Sequence, residues 1–84
     1  MRMLDLEKKS SVKVLVMHLT AEEARQLQGQ LDKLLKDPEA WDRGEVYDDP
    51  QNPSRAITCS IVTDRKLKNI QGFTPIERQV LTES

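Results

Sequence analysis

The stretch "TAEEARQLQGQLDKLLKDP", residues 20–38, constrains this chain most, because it spells one helix with both ends marked. Thr20 followed by Glu23 is a capping box. The Thr20 hydroxyl accepts from the Glu23 amide, and the Glu23 carboxylate accepts from the Thr20 amide. Glu22 and Glu23 also put negative charge where the helix dipole favours it. Ala24, Leu27, Leu31, Leu34 and Leu35 then recur at helical spacing and form one apolar stripe. Pro38 stops the run. Gly29 weakens the helix by about 0.8–1 kcal/mol relative to Ala, and serves either close packing or nothing beyond being tolerated. A striped helix over about residues 21–36 needs a surface to lie on, and strands must supply it.

Two segments read as strands. In "SVKVLVMHL", residues 11–19, Val12, Val14 and Val16 share one face while Leu15, Met17 and Leu19 share the other. Two apolar faces on a β-branched run predict an interior strand over residues 12–19. In "RAITCSIVT", residues 55–63, Ile57, Cys59 and Ile61 alternate with Ala56, Thr58, Ser60 and Val62, which predicts a second strand. "EVY" at 45–47 is a short third candidate. "MLDLE" pairs with the 12–19 strand as an extra edge through a "KKSS" turn, or else residues 1–9 are flexible.

The remaining segments are turns and short helices. "DPEAWDRG", residues 37–44, reads as one or two helical turns: Asp37 caps, Pro38 takes the first position, and Gly44 suits a left-handed terminus. Residues 48–54, "DDPQNPS", are a loop rich in turn formers. "DRKLKNIQG" has Leu67 and Ile70 at helical spacing and Gly72 as a stop, without deciding between helix and loop. "TPIERQVL" repeats the start signal: Thr74 caps, Pro75 follows, Glu77 closes the box, and Ile76, Val80 and Leu81 share a side. A short C-terminal helix over about 75–82 is expected.

The expected fold class is α+β. It is a small two-layer domain over residues 1–84, with a three- or four-stranded, mostly antiparallel sheet carrying both helices on one face. Strands flanking the main helix are candidates for parallel neighbours. A chain of 84 residues buries only roughly 60–65% of its unfolded surface. Exposed sheet edges make pairing with a second copy an expectation too.

"FTPIERQVL" is similar to the "LTPREREVL" opening of the LuxR-type helix-turn-helix domain, with Thr74, Pro75, Glu77, Arg78, Val80 and Leu81 matching. The likeness covers this stretch alone. No turn or recognition helix follows it to enter a major groove. A Thr-Pro-x-Glu start is what capping requires, and the stretch is read as a cap.

Side chains for chemistry are sparse. His18 and Cys59 are the only histidine and cysteine, with Asp64 or Glu45 as a third member of any Cys–His arrangement. The plainer expectation is Cys59 as core filling and His18 at a strand end. One Cys and one His cannot form a zinc site. Asp42, Glu45, Asp48 and Asp49 lack the spacing of a calcium loop. Three scattered glycines make no phosphate cradle. No catalytic residue, metal or cofactor is expected. Neither a signal peptide nor a membrane span is visible, and a lone cysteine suits a reducing compartment, so a cytoplasmic protein is expected.

The charge map is uneven. The net charge is −1, yet residues 37–50 hold six acids against Arg43, together with the only Trp and the only Tyr. Residues 55–68 are basic, and so are residues 1–20. Two expectations follow. The first is a non-catalytic protein-binding module, of the size of immunity proteins, antitoxins and phage inhibitors. It would meet a basic protein partner through Trp41, Asp42, Glu45, Tyr47, Asp48 and Asp49. Its plain competitor is a solvated loop whose rings cover the core. The second is nucleic-acid binding through Lys8, Lys9, Lys13, Arg55, Arg65, Lys66 and Lys68. That reading is disfavoured by the net charge and by the absence of aromatics among these residues.

Overall fold

The capping box at Thr20 forms as the sequence dictates. In a computed structural model describing residues 1–83, Glu23 N donates to Thr20 Oγ1 (3.1 Å) and Thr20 N donates to Glu23 Oε1 (2.8 Å). Helix α1 then runs Ala21–Lys36. The other elements are β1 (Met3–Asp5), β2 (Ser10–Val12), β3 (Gly44–Tyr47), β4 (Ala56–Cys59), α2 (Asp64–Lys68), a 3-10 turn (Ile70–Gly72) and α3 (Pro75–Leu81). The class is α+β, as expected.

The sheet is not the expected one. Instead of one sheet of three or four strands, the described residues form two separate antiparallel pairs, β1 with β2 and β3 with β4. β1 and β2 close at once on a turn over residues 6–9. Asp5 Oδ1 accepts from Glu7 N (3.0 Å) and Lys8 N (3.1 Å), and Lys9 adopts the left-handed conformation (φ 54°). Met3 lies opposite Val12, so this pairing is exhausted just where the predicted 12–19 strand would begin. Residues 14–19 belong to no strand. Alternation assigned them two faces, but a strand also needs a neighbour's backbone, and none is offered. No parallel strand neighbours form across α1, because the strands before and after it belong to different pairs.

β3 and β4 pair Val46 with Ile57 and Gly44 with Cys59, joined by the loop after Tyr47. The predicted strand over 55–63 therefore ends at Cys59. The "DPEAWDRG" segment forms a single turn, closed by Ala40 N donating to Asp37 O (3.1 Å), rather than a helix. Gly44 has no left-handed φ. Its role is proximity: a Cβ there would lie 2.9 Å from Gln30 Cβ and 3.1 Å from Cys59 Sγ, so only glycine lets β3 approach α1.

α1 packs on β3, and α3 packs on β1. The core is thin: Leu34, Val46, Phe73 and Val80 are the buried apolar residues, and no described side chain is fully enclosed. A two-stranded ribbon covers only a narrow strip of the helix. Leu34 is buried and Leu27 half-buried, while Leu31 and Leu35 on the same stripe remain 38% and 60% exposed. Among the described residues no helix is long and apolar enough to cross a membrane.

Candidate functional site

Trp41 follows the 37–40 turn and precedes β3, so its position depends on what receives its ring. Three residues from the far end of the chain do so. A Cβ on Gly72 would fall 2.5 Å from the indole, so the six-membered ring lies directly on the glycine. Phe73, buried beneath, meets the indole edge-to-face at 5.0 Å between centroids and 70° between planes. Lys66 Nζ stands 5.5 Å from the ring centroid.

Lys66 is itself buried, and its ammonium donates to Ile61 O at 2.7 Å. An ammonium so enclosed needs acceptors, and a carbonyl together with a π face supplies them. Trp41 nevertheless remains 49% exposed. It is a ring with a fixed back and an open front. A shallow cavity of about 290 Å³ adjoins it, lined by Glu39, Trp41, Arg65, Lys66 and Asn69. Glu39 Oε2 accepts from Thr63 Oγ1 (2.9 Å), and Thr63 Oγ1 caps α2 through Lys66 N (3.2 Å). The Trp41 segment is thereby tied to the start of α2.

A second tie holds the other side. Arg43 grips Glu77 with both terminal guanidinium nitrogens, Nη1 donating to Oε2 at 2.6 Å and Nη2 to Oε1 at 2.8 Å. Glu77 also closes the α3 capping box, accepting from Thr74 N (2.9 Å). The Arg43 hydrogen bonds, reinforced by Thr74, hold the Glu77 carboxyl at about 2, well below its ordinary 4.5, against a burial effect that opposes them. The same contact raises the Arg43 guanidinium above its usual value.

The acids of the stretch divide into two kinds. Asp48 organises the β3–β4 loop: Oδ1 accepts from the amides of Asp49 (2.9 Å), Ser54 (3.0 Å) and Arg55 (3.1 Å), and Oδ2 accepts from the Ser54 hydroxyl. The Ser54 hydroxyl first, then these amides, hold its carboxyl far below the ordinary carboxylate range. Glu45 accepts from the Tyr47 hydroxyl, which raises the phenol above its ordinary value, and Tyr47 is half-buried. Asp49 accepts from Gln51 N (3.0 Å). Asp42, Glu45 and Asp49 are exposed. Among the described residues none of Asp42, Glu45, Asp48 and Asp49 forms an ion pair within 4 Å, and Arg43 acts on Glu45 at longer range. Among the described residues the ion pairs are Arg43–Glu77 and Arg25–Glu22.

The basic set is dispersed. Lys8, Lys9 and Lys13 sit on and just after the β1–β2 hairpin, Arg55 is in the loop before β4, and Arg65, Lys66 and Lys68 are on α2. Of the α2 residues, Lys66 is buried while Arg65 and Lys68 are exposed. His18 lies exposed in the unpaired 14–19 segment, and Cys59 is half-buried on β4 with its Sγ toward Gly44. No group of three or more His, Cys, Asp and Glu side chains among the described residues is arranged to hold a metal ion.

Sequence reasoning names Trp41 but misses its supports Gly72, Phe73 and Lys66. "GF" and "RKLK" carry no local mark of an aromatic landing on them. The Arg43–Glu77 clamp is equally silent, because Glu77 already has a sufficient local reason to be present. Comparison with known protein families, curated proteins and solved structures gives no match.

Proposed function

We propose that this chain is a non-catalytic protein-binding module whose contact surface centres on Trp41 and whose partner is basic. The observation that carries the reading is the mounting of Trp41, half exposed on a support of Gly72, Phe73 and Lys66. A large ring held rigid before binding loses little entropy on contact, which is what an interface anchor requires. Asp42, Glu45 and Asp49 give the surrounding surface its sign and would speed encounter with a cationic partner. In this reading Tyr47 and Asp48 shape the stretch, through Glu45 and the loop amides, and the exposed acids make the contact.

The test is capture of the partner from lysate followed by binding to variants. Trp41→Ala is expected to weaken affinity by roughly tenfold or more. Asp42→Lys with Asp49→Lys is expected to slow association and flatten its salt dependence. Unchanged binding in both variants would overturn the reading.

One observation favours a second reading, nucleic-acid binding. Arg65 shares the cavity wall with Trp41, so a base has a ring to stack on beside a cation. Arg65, Lys68, Arg55, Lys8, Lys9 and Lys13 would carry it, without the enclosed Lys66. Titration with a single-stranded oligonucleotide at low ionic strength decides: no quenching of Trp41 emission eliminates it.

A further inference from the structure

Residues 14–19, apolar apart from His18, are exposed and unpaired. Val14, Leu15, Val16, Met17 and Leu19 are 84, 53, 74, 45 and 36% exposed. Among the described residues none of positions 14–19 takes part in a backbone–backbone hydrogen bond. Free amides and carbonyls on a run of β-formers are a template for another strand.

The dimensions of the whole chain point the same way. Its accessible surface is 6771 Å², against about 5,100 Å² for a folded monomer of this mass. Its radius of gyration is 13.5 Å, against about 12 Å for this length. The surplus of roughly 1,700 Å² is about twice what one partner contributes to a standard interface.

We propose that a second copy of this chain covers the segment, pairing residues 13–19 antiparallel with the same residues across a twofold axis. Charge selects this occupant and this direction. Lys13 adjoins the segment at its start, and Glu22, exposed beside Arg25 at 3.3 Å, follows it in the first turn of α1. Antiparallel self-pairing brings the basic end of each copy to the acidic helix entrance of the other, at both ends at once. Parallel pairing sets like against like. Centred on Val16, the register sets Val16 against its own copy and Leu15 opposite Met17, an apolar middle flanked by Val14 opposite His18 and Lys13 opposite Leu19. The interface is isologous, as a twofold demands. A paired strand of about 20 Å covers less than a standard interface by itself, so the dimer dissociates on dilution.

Sedimentation equilibrium of the full chain from micromolar to millimolar concentration tests this. The mass is expected to rise from 9.7 kDa toward twice that value. Val16→Pro removes a donor and blocks pairing at a site the monomer does not use. It is expected to abolish the rise while leaving the far-ultraviolet dichroism of the monomer unchanged. Lys13→Glu is expected to weaken the dimer several-fold at low salt, and adding Glu22→Lys to restore it. That rescue is peculiar to antiparallel self-pairing, and it answers the question even where the proline variant fails to fold. A monomer at every concentration overturns the proposal, including one that binds a strand of another protein. So does a dimer indifferent to both Val16→Pro and the charge reversals.

Discussion

Gly72 and Gly29 are the same residue type with opposite consequences. At Gly72 a methyl group would meet the Trp41 ring at 2.5 Å, whereas at Gly29 nothing lies within 4 Å. Gly72→Ala is therefore expected to displace the indole, shift its emission to the red and cost about 1–3 kcal/mol in urea unfolding. Gly29→Ala is expected to stabilise by about 0.8–1 kcal/mol in the same assay. Glu77 gives the residue scale its pH dependence. Its folded pKa of about 2 lies below its ordinary 4.5. The unfolded chain therefore takes up this proton first, so the stability it contributes is complete above about 4.5 and is lost as pH falls toward 2. The pair is partly open to solvent, so its worth is at most about 1 kcal/mol. The urea midpoint of Glu77→Gln should fall less steeply than wild type across that window.

Caps decide which short elements exist. α3 spans Pro75–Leu81, too short to persist alone, and its start is fixed by Thr74, whose Oγ1 accepts from Glu77 N (3.4 Å) while its own amide donates to Glu77. Thr74→Ala is expected to cost about 1 kcal/mol by chemical denaturation. Faces decide how an element contributes. Leu34 and Leu35 are neighbours on one predicted stripe, yet they are 4% and 60% exposed. Leu34→Ala should cost about 2–5 kcal/mol, while Leu35→Ala should stay within about 0.5 kcal/mol. If both cost the same, a partner already covers the helix at the concentration used.

At the scale of the molecule, the described residues form two ribbons and three helices over a core of few residues, and much apolar surface stays in water. Dilute monomer should accordingly unfold with a urea m-value near the low end, about 1 kcal/mol/M, since little surface remains to be exposed. By itself the sequence determined what depends on residues a few positions apart: the limits of α1, the Thr20 and Thr74 boxes, and the β-formers of β3 and β4. Such signals are complete within one turn of chain, so they can be read without a fold. Only the tertiary structure decided what depends on a distant neighbour. The 12–19 run had its faces written in its alternation, but beyond Val12 it found no strand to pair with. Trp41 found its support in Gly72 and Phe73, about thirty residues away. Side-chain alternation is a property of one segment, whereas pairing and burial belong to two, and the second partner is not written in the first.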